Sequence, residues 1–129
     1  MPSTLLMFRV GTWSLMGYGL WAVEEKQSGV YIGDAGFMRT RRGLPIDCGD
    51  LPEGGWTFVP SVHGKGYGRE ATGAAIAWAD QNLDAPQTWC LINVENEFSL
   101  KIARRLGYRQ AAQVTLRDAP ALVLTRERP

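Results

Sequence analysis

Pro60-Ser61-Val62-His63-Gly64-Lys65-Gly66-Tyr67-Gly68-Arg69-Glu70-Ala71 is the stretch on which the fold turns. Three glycines at alternate positions, Gly64, Gly66 and Gly68, leave several backbone N–H groups without side-chain cover. Glycine also reaches the left-handed backbone that a tight turn needs. Pro60 cannot donate a ladder hydrogen bond, so it stops the strand-like Trp56-Thr57-Phe58-Val59 that precedes it. Over residues 66–83 the apolar Tyr67, Ala71, Ala74, Ala75 and Trp78 fall at i, i+4, i+7, i+8 and i+11, and Ile76, Ala79 and Leu83 widen the stripe. That period predicts a well-buried helix. A helix opening on such a turn aims its positive dipole end and first N–H donors outward, so backbone can cradle a phosphate, with Lys65 and Arg69 adding charge.

Spacing narrows the phosphate ligand. A Walker turn requires GxxxxGK[ST], but Lys65 is followed by Gly66. A dinucleotide fingerprint requires GxGxxG, and its third glycine position falls on Arg69 or Ala71, depending on where counting begins. Neither pattern is met. The bland alternative is a strand-to-helix turn that holds no ligand.

Downstream, Pro86 marks the helix exit, and Thr88-Trp89-Cys90-Leu91-Ile92-Asn93-Val94 is almost continuously apolar, as a strand covered on both faces should be. A strand, turn, helix, strand unit results. Asn96 is placed to cap a second helix with Phe98, Ile102, Ala103 and Leu106 inward, and Gly107 suits the left-handed residue that ends it. Two last strands are expected at residues 108–117 and 121–126, turned by Asp118-Ala119-Pro120. Upstream, residues 39–54 are rich in Gly, Pro, Asp and Arg and read as a surface loop. Residues 19–23 and 30–33 flank the polar 24–29 and read as a β-hairpin. Residues 2–16 carry Leu5, Leu6, Phe8, Val10 and Trp13 with no clear period, and Gly11 weakens any helix through them.

A length of 129 residues sets one domain, 1–129, and 45% apolar with 21% charged residues supports one packed core. The net charge of +1 is spread along the chain, so neither nucleic acid nor membrane is expected as a partner. Cys48 and Cys90 form no CxxC pair and have no His at ligand spacing, so no metal and no disulfide framework are expected. A reducing cytoplasm fits such a chain, and no apolar run reaches membrane-spanning length.

The sequence resembles the GNAT acetyltransferases over most of its length from Tyr18 onward, especially the branch that acetylates ribosomal-protein N-termini. His63-Gly64-Lys65-Gly66-Tyr67-Gly68 matches that family's [QR]xxGx[GA] turn, with His63 in place of Gln or Arg. The branch's longer form, Pro, a spacer, then GxGxxxEA, is met by Pro60 and residues 64–71. A second motif, Asn and Ser opening a helix that ends in Leu-Gly-aromatic, is met by Asn96, Ser99 and Leu106-Gly107-Tyr108, and Glu53 stands where the branch often has a Glu. The resemblance implies an α+β (mixed α/β) fold whose splayed mixed sheet is flanked by helices. It also implies acetyl-CoA as acyl donor, pyrophosphate at His63 to Arg69, and pantetheine pairing with the backbone of Phe58 and Val59 by strand addition. Two departures stand out: only residues 1–17 precede the hairpin, and Ala103 occupies the position where many members carry a proton-donating Tyr.

Acyl transfer from a thioester to an amine needs a neutral amine, a polarised carbonyl and a proton for the departing thiolate. An ordinary Lys is neutral about once in 2,500 molecules at pH 7, roughly 4.6 kcal/mol, whereas an α-amine costs only about 1 kcal/mol, so a weak base serves the latter. Glu53, beside a desolvated cleft, is the candidate base, directly or through water; otherwise it is a solvated loop residue. Ser99 is the candidate proton donor or pantetheine contact, against a first-turn Ser that bonds backbone. Asn96 can bond the cofactor and cap its helix at once. His63, the single histidine, sits at the phosphate turn and reads as a turn residue or phosphate contact, since the thioester lies far from the pyrophosphate. Arg39, Arg41 and Arg42 either meet an acidic acceptor or form a solvated loop.

The expected function is therefore transfer of an acetyl group from acetyl-CoA to a primary amine, either a protein N-terminal α-amine or a small molecule. The alternatives are a non-catalytic acyl-CoA-binding or regulatory module and a structural remnant of the fold. The short segment before the hairpin adds an expectation of a fragment or a homodimer, because apolar residues on the hairpin need cover.

Overall fold

A computed structural model of the chain describes residues 4–11, 13–40, 42, 44, 48 and 50–129. Its elements run β1 (Leu5–Val10), α1 (Trp13–Met16), β2 (Leu20–Glu25), β3 (Tyr31–Met38), β4 (Glu53–Phe58), a 3-10 turn (Pro60–Val62), α2 (Tyr67–Asn82), β5 (Gln87–Asn93), α3 (Glu97–Leu106), β6 (Arg109–Leu116) and β7 (Ala119–Glu127). The strands form a seven-stranded mixed sheet in hydrogen-bonded order β1-β2-β3-β4-β5-β7-β6, the α+β architecture expected. The chain divides into two units, residues 1–38 with 55–83 and residues 39–54 with 84–129.

In the first unit the ambiguous opening resolves into strand and helix. β1 pairs antiparallel with β2, from Leu5↔Glu25 to Val10↔Leu20, and β2 pairs antiparallel with β3 from Leu20↔Gly36. Leu5 is 4% exposed, whereas Leu6, Phe8 and Val10 at alternate positions are 41%, 47% and 46% exposed. Pairing to β2 makes LLMFRV a strand, although its run of apolar residues carries no period-2 signal of its own. Trp78 meets Trp13 and Trp21 edge-on, with ring centroids 5.0 and 5.3 Å apart, a geometry favoured by the ring quadrupoles, and Trp13 and Trp21 are tilted against each other at 4.6 Å. β3 runs on to Met38, past the Gly33 at which the sequence pattern ended. At Gly33 a Cβ would meet Thr57 O at 2.1 Å, so only glycine lets β4 approach.

Helix α2 buries Gly68, Ala71, Thr72, Ala75, Ile76 and Ala79. Ala74, placed on the inner stripe by the sequence pattern, is instead exposed. The true stripe is centred on small residues and includes Thr72, whose Oγ1 donates to Gly68 O at 2.6 Å and so enters the core without losing a hydrogen bond.

In the second unit β5 pairs antiparallel with β7 from Gln87↔Glu127 to Asn93↔Ala121, and β6 pairs with β7 as a hairpin. The turn of that hairpin is Arg117-Asp118, with φ of 51° and 64°, and not Asp118-Ala119-Pro120. Two successive left-handed residues match the twist of the flanking strands, so Ala119 and Pro120 are drawn into β7. Trp89, Val114, Ala121 and Val123 form its core cluster, with Leu44, Cys48 and Leu51 packed against it. β4 begins at Glu53 and not at Trp56. Glu53 pairs in parallel with Trp89, Trp89 N–H donates to Pro52 O at 3.1 Å, and Trp89 Nε1–H donates to Leu51 O at 3.2 Å.

Candidate functional site

The glycine turn in the first unit is held by a ladder of short-range bonds. Val59 N–H donates to Ile32 O at 2.9 Å and closes β4, Val62 N–H donates to Val59 O at 3.1 Å, and His63 N–H donates to Pro60 O at 3.1 Å. Gly64 and Gly66 follow with φ of +81° and +84°, and a Cβ on either would meet nothing within 4 Å. The backbone thus faces open space at both positions, in a conformation side chains avoid. Gly66 is the N-cap of α2 and supplies no side-chain cap, so the first-turn N–H donors are not covered from within the helix. Lys65 and Arg69 are exposed beside them. These features suit an anion held chiefly by backbone.

Tyr67 has a partner that its neighbours in sequence do not announce. Its phenol donates to Glu25 Oε2 at 2.6 Å, tying the start of α2 to the end of β2. That bond first, then one from Ser28 and the charge of Lys65, holds the Glu25 carboxyl below its usual range. The same bond pushes the Tyr67 phenol up. A depressed carboxyl contributes stability that is present above the unfolded pKa of about 4.3 and is lost as pH falls through the folded value. Tyr67→Phe should therefore move the Glu25 carboxyl titration upward and shrink that acid loss. A carboxyl carbon NMR titration with no movement in the variant would assign the shift elsewhere.

His63 and Phe58 are brought together. The imidazole Nε2 lies 3.0 Å from Phe58 O, and a carbonyl only accepts, so Nε2 carries the hydrogen. Val59 commits its N–H to Ile32 and its C=O to Val62. Successive residues of a strand face opposite edges, so the Phe58 N–H and C=O face the edge away from β3.

In the second unit Glu53 is 2% exposed, and its carboxylate is clamped. Arg42 Nε donates to Oε1 at 2.8 Å and Nη2 to Oε2 at 2.9 Å, while Thr40 Oγ1 also donates to Oε1. Glu53 therefore does not open onto a cleft as a base would, and the partly exposed loop arginine turns its guanidinium to Glu53. The Glu53 bonds push the Arg42 guanidinium pKa up, so it stays charged. Arg39 pairs with Asp50 at 3.0 Å, and Arg41 lies outside the described residues. Burial, and secondarily the Glu53 charge, push the Cys90 thiol above its ordinary range, which keeps it protonated and unreactive.

Asn96 caps α3 by accepting from Ser99 N–H at 3.1 Å, and Gly107 ends it with φ of +97°, both as the sequence indicates. Ser99 is 7% exposed and Ala103 is fully buried. The Thr88 and Tyr108 hydroxyls share a buried 2.6 Å bond. Sequence reasoning missed Glu25 and the pairing of Arg42 with Glu53. No local signal marks a partner 42 or 11 residues away. Among the described residues no cluster of His, Cys, Asp and Glu is placed to hold a metal, and no helix is long and apolar enough to cross a membrane.

Residues 4–109 match the family model described as an acetyltransferase (GNAT) domain. A solved structure described as a putative GnaT-family acetyltransferase from Bordetella pertussis is 32% identical, with a TM-score of 0.82 over 88% of this chain and 68% of that one. The structure of yncA from Salmonella typhimurium, described as a putative acetyltransferase with its cofactor acetyl-CoA, is 22% identical and shares the fold with a TM-score of 0.73 over 91% of this chain and 68% of that one. YkkB of Bacillus subtilis, described as uncharacterized, is 26% identical over 113 residues, which are 86% of this chain and 63% of YkkB. This chain therefore spans less than two thirds of that curated relative.

Proposed function

Because the chain belongs to the GNAT acetyltransferase domain family, we propose that it is a single acyltransferase domain that takes an acetyl group from acetyl-CoA and delivers it to a primary amine. One observation carries the reading. Gly64 and Gly66 hold left-handed backbone over open space, at the N-terminus, without a side-chain cap, of the 16-residue α2 that follows β4 and its 3-10 turn. The residues fit acetyl-CoA: backbone from Gly64 to Gly68 with Lys65 and Arg69 would hold its phosphates, and Phe58 backbone would pair with its pantetheine arm. The acetyl-CoA bound to yncA supports the same ligand class. When bound, the cofactor supplies an activated thioester.

The amine we propose is an α-amine or a small-molecule amine of modest basicity, since Glu53, the candidate base, is engaged by Arg42 and Thr40. The resemblance to the ribosomal-protein branch through Pro60, Glu53 and residues 64–71 favours the α-amine. Glu53 enters the proposal as a positioning residue that fixes Arg42 and Thr40, and an amine would reach it only if those partners left. Ser99 is the proposed hydroxyl at the thiolate, with Asn96 setting the helix turn that carries it. A reducing cytoplasm is the proposed setting, and a homodimer over the Leu6, Phe8 and Val10 row is part of the same reading.

CoA binding to the native state should raise the melting temperature, by about 2.7 kcal/mol of stabilisation at 100 times Kd. Acetyl-CoA with a panel of amines should then release titratable thiol. Stabilisation without thiol release would favour a non-catalytic acyl-CoA-binding module. Absence of both in folded protein would favour a remnant of the fold.

A further inference from the structure

The imidazole of His63 meets the carbonyl that, on the reading above, a cofactor needs. Val59 N–H is bonded to Ile32 O, so strand alternation turns the Phe58 carbonyl to the edge of β4 away from β3. There His63 Nε2–H donates to it at 3.0 Å. A strand-adding ligand with amide groups places its own N–H on such a carbonyl. The ring already occupies the carbonyl that a ligand amide would need, so the two compete for it.

The contact is built to be released. His63 N–H donates to Pro60 O at 3.1 Å, and its backbone is held at φ −61° and ψ 139°, so the ring leaves by rotating its own side chain while the turn keeps its shape. The residue is exposed, and water receives the departing ring. Phe58 itself is 5% exposed, which keeps its carbonyl from moving to meet another donor.

We propose that His63 is a placeholder for the pantetheine amide on the Phe58 carbonyl, a positioning residue that CoA displaces when its arm pairs with β4. This inference rests on the proposal that the chain binds acyl-CoA. A phosphate contact from the same ring would have the opposite consequence, because removing it would weaken every ligand that carries the nucleotide.

The experiment compares CoA with adenosine 3′,5′-bisphosphate, which lacks the pantetheine arm, by calorimetry on the wild type and His63→Ala. Loss of the competing hydrogen bond should tighten CoA about three- to tenfold and leave the bisphosphate within about twofold. Equal weakening of both ligands, or no change in either, would overturn the proposal. A second measurement needs no variant: the His63 Nε2 resonance of the wild type should shift when CoA is added and stay in place with the bisphosphate. Equal shifts with both ligands overturn it too. If the folded wild type binds neither ligand, the acyl-CoA reading fails first.

Discussion

Gly66→Val should lower affinity for CoA by more than about tenfold, at least about 1.4 kcal/mol, in the fraction that remains folded. Gly66 sits at φ +84° and ψ 0° as the N-cap of α2. Its missing Cβ leaves open space beside the first-turn N–H groups, and that space is where phosphate oxygens would have to approach backbone. A valine there places two γ-carbons against the ligand and forces a β-branched residue into a left-handed conformation, a strain of about 1–3 kcal/mol. The strain also lowers stability, so a control is needed. Gly17→Val carries comparable strain, because Gly17 has φ +73° and open space at the end of α1, but it should leave CoA affinity alone. Isothermal titration on folded protein decides the matter: equal affinity of wild type and Gly66→Val would remove the turn from cofactor binding.

Glu53→Gln should lower stability by about 2 kcal/mol, or roughly 6–10 °C in Tm. Arg42 would keep a charge on a side chain only 29% exposed while losing a bidentate carboxylate, and breaking such a pair is costly because one charge is left behind. The partial exposure of Arg42 places the figure below that for a fully buried pair. Arg42→Gln should cost about as much, and the double substitution much less than the sum, since the two act as one unit. Both single variants should reduce turnover to a similar degree without altering the shape of the pH–rate profile. If Glu53→Gln alone abolished the acidic limb, Glu53 would be the base itself, acting after release from Arg42.

Elements governed by interactions within four residues were legible from the residues alone. The spacing of Gly64, Gly66 and Gly68 after Pro60 announces a turn into a helix, because left-handed backbone and missing side chains are properties of those residues wherever they occur. Asn96 with Ser99 and Gly107 bounds α3 for the same reason: a cap joins neighbours along the chain. The start of β4 was not legible. Glu53, Gly54 and Gly55 have low strand propensity, and the strand extends back to Glu53 because Trp89 pairs with it.

By itself, then, the sequence determined the strand, glycine turn and helix, the capped α3 and the family to which they point, since each depends on local backbone geometry. Tertiary structure alone decided that LLMFRV is a strand, that Glu53 is clamped by Arg42, that Tyr67 reaches Glu25 and that His63 covers the Phe58 carbonyl. The first three depend on which distant segment arrives alongside, and the fourth on which way the closing of β4 against β3 turns its carbonyls. The entropy of closing those loops is recovered only by the assembled sheet, so no short window of residues encodes them.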